Sequence, residues 1–115
     1  MPQYMLVLRE DPAQFASLSA DEIQRIIQKY VAWGDSLRER GLLAGGAKLT
    51  QGAARTMRRE SGRVRTTDGP YAEAKEVLGG YFTILADSYD QAVERCRDCP
   101  HLEFGSIEIR EVDHV

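Results

Sequence analysis

Tyr4-Met5-Leu6-Val7-Leu8 is an unbroken apolar run, too short for a helix. It predicts a strand buried on both faces and central in its sheet. Arg9-Glu10-Asp11-Pro12 ends it, and Phe15 and Leu18 in the following loop are expected anchors onto the domain. Apolar positions then recur at helical spacing through Ile23, Ile26, Ile27, Tyr30, Trp33, Gly34 and Leu37. That spacing predicts a long amphipathic helix with one apolar face, on which Trp33 is a core residue. Ser19 and Glu22 form a capping box at its start, and Asp21 and Glu22 suit the positive end of the helix dipole. Arg38 and Arg40 suit the opposite end, and Gly41 is the expected C′ residue. Gly34, inside the helix, predicts either close approach to a strand or a tolerated weak point.

Leu42-Leu43-Ala44-Gly45-Gly46-Ala47-Lys48-Leu49 reads as a strand interrupted by two glycines, with a bulge or a close backbone approach. No Gly-x-Gly-x-x-Gly pattern, Walker lysine or following helix supports a phosphate cradle there. The segments 54–60 and 63–67 flank Ser61-Gly62 and predict a hairpin with little apolar content. Gly80-Tyr81-Phe82-Thr83-Ile84-Leu85-Ala86 is a second strongly apolar strand. Ser88 with Gln91 opens a second helix through Tyr89, Ala92, Val93 and Cys96, which Pro100 stops. Ser106-Ile107-Glu108-Ile109-Arg110-Glu111-Val112 alternates cleanly, as a half-buried strand does.

Setting the hairpin aside, the order is β-α-β-β-α-β, the ferredoxin-like plan within an α+β class. Two helices cover one face of such a sheet. The other face must be polar or meet a partner, and the apolar runs at 4–8 and 81–86 favour a partner. The expectation is a homodimer packed through the sheet face.

Composition narrows the function classes. The 115 residues fit one domain, 1–115, and are enough to bury a core without disulfides. A net charge of −3 with both signs mixed lacks the basic footprint of a nucleic-acid binder. The run Arg55, Arg58, Arg59, Arg63 and Arg65 is broken by Glu60 and alternates, as a solvated hairpin face does. No export signal or membrane-length apolar run is present, so a cytoplasmic protein without membrane contact is expected. Cys96-Arg97-Asp98-Cys99 falls at a helix carboxyl end, where the dipole raises a thiol pKa, against a redox role. Cys96 is expected in the core and Cys99 at the helix end. With His101 they offer three zinc ligands and no second cysteine pair, so neither a metal nor a cofactor is expected. His101 and His114 are expected at the surface.

The densest candidate chemistry lies in Thr67-Asp68-Gly69-Pro70-Tyr71-Ala72-Glu73-Ala74-Lys75-Glu76, which runs into Leu78-Gly79-Gly80-Tyr81. Asp-Gly-Pro predicts a sharp turn, and Pro70 suits the first position of a helical turn with Asp68 near its amino end. In such a turn Glu73 and Glu76 share a face, and two nearby carboxylates with a lysine can split their pKa values for acid–base work. The candidate catalytic residues are Asp68, Glu73 and Lys75. Arg9, Lys48, Tyr71 and Glu76 are candidate ligand contacts. The competing reading is structural: Asp68 caps backbone amides, Tyr71 anchors an interface, and the other charges are solvated or paired.

These segments resemble the YCII-related, DGPF-domain family of small bacterial proteins. The resemblance runs through Tyr4–Leu8, Leu18-Ser19-Ala20-Asp21-Glu22, Leu43–Leu49, the stretch 67–76, Leu78-Gly79-Gly80-Tyr81-Phe82, Cys99-Pro100 and Gly105–Arg110. Tyr71 stands where the family usually has Phe, adding a hydroxyl. The resemblance implies a dimeric α+β barrel of the ferredoxin-like type. It also implies a largely uncharacterised family, some members of which are encoded or fused with extracytoplasmic-function sigma factors. More distant relatives carry a proposed His–Asp catalytic pair, and neither His101 nor His114 lies in a segment matching it. Two functions follow as expectations. One is a small-molecule site, with acid–base activity, in a cleft near the Asp68-Gly69-Pro70-Tyr71 turn. The other is a non-enzymatic dimeric regulatory or binding module linked to a sigma-factor system.

Overall fold

The structure is a computed structural model and describes residues 1–50, 53–69 and 76–114. Strand β1 (Gln3–Glu10) leads to helix α1 (Ala20–Glu39), β2 (Leu43–Lys48), the hairpin strands β3 (Arg55–Glu60) and β4 (Arg63–Asp68), then β5 (Val77–Leu85), helix α2 (Tyr89–Cys96) and β6 (Gly105–Glu111). Short 3-10 turns, Pro12–Phe15 and Pro100–Glu103, precede α1 and β6. The main sheet has the order β2-β5-β1-β6, with every neighbouring pair antiparallel. This is the α+β, ferredoxin-like plan, with β3–β4 inserted as a separate two-stranded sheet.

Local signals set the helix ends. Ser19 Oγ accepts from the Glu22 amide at 3.1 Å, and Glu22 Oε1 accepts from the Ser19 amide at 3.3 Å, closing the capping box. Gly41 takes φ +71, as a C′ glycine should. Ser88 Oγ accepts from the Gln91 amide at 3.1 Å, while the Gln91 side chain reaches one residue further back than expected, to the Asp87 amide. Ser61 and Gly62 turn the hairpin with φ values of 50 and 78, the paired positive angles of a type I′ turn.

The core lies between the sheet and the helices. Tyr4, Leu6, Leu8 and Ile84 from the strands pack with Trp33, Leu37, Ala92, Cys96 and Cys99. Trp33 Nε1 donates to Asp98 Oδ1 at 3.0 Å, which pins α1 to the segment after α2. The strand β1 is central, but its two faces differ. Tyr4, Leu6 and Leu8 are buried, whereas Met5 and Val7 are half-buried, because both helices lie on the same side. The glycines of β2 accompany a register shift between Leu43 and Gly45, the expected bulge.

Two expectations need correction. His101, expected at the surface, is only 1% exposed, since Pro100–Glu103 folds it inward beneath α1. Cys99 is more than a helix-end residue, for it is part of the buried core.

Candidate functional site

The later turns of α1 seat firmly on the sheet. Trp33, Gly34 and Leu37 are buried, and a Cβ on Gly34 would stand 3.4 Å from Phe82 Cε1, so glycine lets the helix close on β5. The earlier turns stand off. Ile23, Ile26, Ile27 and Tyr30 are only half-buried, and Val31 is exposed. Between these turns and the sheet lies a cleft of about 660 Å³, within the usual size range of small-molecule sites.

The floor of the cleft is bare backbone. Gly80 of β5 pairs with Leu8 on one side and Lys48 on the other, and a Cβ on it would lie 2.8 Å from the Ala47 carbonyl oxygen. A Cβ on Gly79 would overlap the Glu10 carboxylate, which lies across that residue. Gly79 thus makes room for the Glu10 carboxylate, and Gly80 for the close backbone of β2, the strand that carries Lys48. Two strand spacings separate β1 from β2, roughly 10 Å. Both Glu10 and Lys48 line the cleft. Neither has a hydrogen-bond or ion-pair partner among the described residues.

Tyr30 and His101 complete this end. His101 Nε2 is 2.9 Å from the Arg9 carbonyl oxygen, and its Nδ1 is 2.9 Å from Tyr30 Oη. A carbonyl only accepts, so Nε2–H is the donor; in the neutral tautomer this selects, Nδ1 offers its lone pair to the Tyr30 hydroxyl. Gly105 makes this fit possible, since a Cβ there would run into the Arg9 carbonyl and come within 3.0 Å of His101 Nε2. Burial raises the Tyr30 phenol well above its ordinary range, and the Glu10 charge adds to the effect. Tyr30 therefore stays a phenol and acts through hydrogen bonds. Elsewhere, burial pushes the Cys96 thiol up to about 12 and Cys99 to about 11, which leaves both as neutral core groups.

Of the residues singled out from sequence, Lys48 lines the cleft. The Arg9 side chain lies outside it, exposed and 3.6 Å from Glu108 Oε1, while its backbone carbonyl holds His101. Asp68 ends β4 with its side chain 88% exposed and Oδ1 3.3 Å from Arg55 Nε. It does not line the cleft. Gly69, with φ +94, makes the expected turn. Glu76 Oε2 accepts from Ser106 Oγ at 3.2 Å. Tyr71, Glu73 and Lys75, and the helical turn expected there, lie outside the described residues. Sequence reasoning passed over Glu10, Tyr30 and His101. The available signal was Gly79-Gly80 facing an acidic strand end, which only register reveals.

A family model described as the YCII-related domain matches residues 2–114. An uncharacterized protein of Rhizobium meliloti (strain 1021) is 32% identical over 110 residues, covering 93% of this chain and 89% of its own. Among solved structures, 5-chloro-2-hydroxyhydroquinone dehydrochlorinase from Burkholderia phenoliruptrix AC1100, in complex with 2,5-dihydroxybenzoquinone, superposes with a TM-score of 0.56. The two share 12% sequence identity, and the match covers 98% of this chain and 95% of that one. At that identity the likeness concerns the fold.

Proposed function

The chain belongs to the YCII-related family, and from that premise we propose that it binds a small, largely apolar molecule in the cleft between α1 and the Gly79-Gly80 floor. The observation that carries this reading is the cleft itself. Aliphatic side chains of α1 stand half-buried over a glycine floor, with the Glu10 carboxylate and the Lys48 ammonium, neither ion-paired among the described residues, at its flanks. An apolar surface left open beside polar groups is the usual mark of a ligand-binding groove. The structural neighbour, a dehydrochlorinase in complex with a small cyclic ligand, supports a small-molecule role for the fold. Acid–base chemistry belongs to the same reading, with Glu10 as the group able to take a proton from a bound molecule. Asp68, Glu73 and Lys75 precede the strand that floors the cleft; Asp68 itself is read as a residue of the hairpin base, held by Arg55.

The test is fluorescence titration with the apolar dye anilinonaphthalene sulfonate. Val31 is 48% exposed at the cleft, so Val31→Trp fills it without touching the core. Wild type should bind the dye saturably and Val31→Trp should not, with equal melting temperatures. Equal binding by both would reject the cleft.

We also propose a homodimer through the outer sheet face, where Met5, Val7 and Thr83 form a half-buried patch. Arg9, Glu108 and Arg110 surround that patch with ion pairs, the apolar-centre and polar-rim arrangement of protein interfaces. The hairpin leaves Met57 and Val64 exposed, which favours, as a second reading, a docking role in a sigma-factor system. Recovery of no protein partner from native lysate, with turnover of a metabolite by the pure protein, would reject that second reading.

A further inference from the structure

Resting on the cleft reading, we infer that the ligand is an aromatic or cyclic acid that carries a hydrogen-bond donor, held with its donor on Tyr30 Oη and Glu10 and its acid group on Lys48. His101 sets the polarity of this end of the cleft. In the neutral imidazole, committing Nε2–H to the Arg9 carbonyl leaves Nδ1 as an acceptor, and the proton it accepts is the Tyr30 hydroxyl proton. Tyr30 thereby loses its one donor to the protein. Its Oη keeps its remaining lone-pair capacity on a residue that lines the cleft. The nearby Glu10 carboxylate, when ionised, also only accepts. At this end the protein thus offers acceptors, and a ligand must supply the donors: a hydroxyl or an amine. A ligand bearing only ether or carbonyl oxygens there would leave lone pair facing lone pair.

The other flank has the opposite character. Lys48 projects from the residue paired with Gly80 and has no ion-pair partner among the described residues. An ammonium there supplies donors and positive charge, which a carboxylate or another acid group satisfies. Between the two flanks the glycine floor and the isoleucine face of α1 leave room for a flat apolar body. His101 contacts no ligand in this arrangement. It is a positioning residue that fixes the polarity of the Tyr30 hydroxyl.

Three probes separate these elements in the full-length protein: para-hydroxybenzoate, para-methoxybenzoate and para-hydroxybenzyl alcohol. Affinities are read by calorimetric titration. The hydroxy acid should bind roughly tenfold or more tightly than its methyl ether, and than the neutral alcohol. Tyr30→Phe should shrink the hydroxy-over-methoxy preference, and Lys48→Gln should erase the acid-over-alcohol preference. Each variant should leave the other preference in place. Equal or tighter binding of the methyl ether would overturn the inference, as would full discrimination by Tyr30→Phe. Failure of all three probes to bind would also overturn it. In that case dye binding that Val31→Trp blocks would still uphold the cleft reading, so the two fail separately.

Discussion

Tyr30 Oη and His101 Nδ1 lie 2.9 Å apart across 71 positions of sequence, and this pair closes one end of the cleft. Each partner is held from elsewhere: Tyr30 by the apolar face of α1, His101 by the Arg9 carbonyl, 92 positions away. His101→Ala leaves a buried carbonyl without its donor, a phenol without its acceptor, and a cavity. The expected loss is about 3 kcal/mol. Tyr30→Phe removes the hydroxyl and one hydrogen bond and should cost about 1 kcal/mol. Urea denaturation of both variants checks the order, and equal losses would contradict the asymmetry.

That long-range pair also marks how much was legible. Capping boxes, the C′ glycine and the hairpin turn are local devices, so Ser19 with Glu22, Gly41, and Ser61-Gly62 announced themselves in sequence. The buried His101 did not, because its burial depends on residues more than seventy positions away. The cleft was hidden for the same reason. An apolar helix face predicts burial, yet Ile23, Ile26 and Ile27 stand half-open because α1 seats on the sheet only from Trp33 onward. Lys48 was picked out, but its opposition to Gly80 became visible only through the strand register.

Two glycine substitutions should behave oppositely. In Gly105→Ala the new methyl meets the Arg9 backbone carbonyl, which cannot swing away, so a loss on the order of 3 kcal/mol is expected. In Gly79→Ala the obstacle is the Glu10 carboxylate, the end of a flexible side chain. Stability should fall by less than about 1 kcal/mol, since the chain end can rotate, while probe affinity in the cleft drops because Glu10 is displaced. Melting curves paired with titrations check both halves.

Alkaline pH should weaken the fold through its two buried thiols. The folded state raises Cys96 to about 12 and Cys99 to about 11 from 9.0, so it holds those protons more tightly than the unfolded chain. The associated stabilisation is fully present below about pH 9 and is lost as pH rises through about 11 to 12. Thermal melts across that range should show a falling midpoint, and Cys96→Ala should flatten the slope. Both thiols should also resist iodoacetamide near neutral pH unless the protein is unfolded.

The outer sheet face should control assembly. Val7→Asp places a charge in the half-buried patch beside Met5 and Thr83 without touching the helical side of β1. Light scattering should give the mass of two chains for wild type and of one chain for the variant, with the circular-dichroism spectrum unchanged. A wild-type monomer would remove the interface from the account.

Amide proton–nitrogen spectra recorded during titration with anilinonaphthalene sulfonate will reveal whether the α1–sheet cleft is the ligand site. The predicted result is saturable shifts at Gly34, Gly46, Gly79 and Gly80, abolished in Val31→Trp. Shifts confined to Met5, Val7 and Thr83 of the outer face, or to Met57 and Val64 of the hairpin, would contradict it.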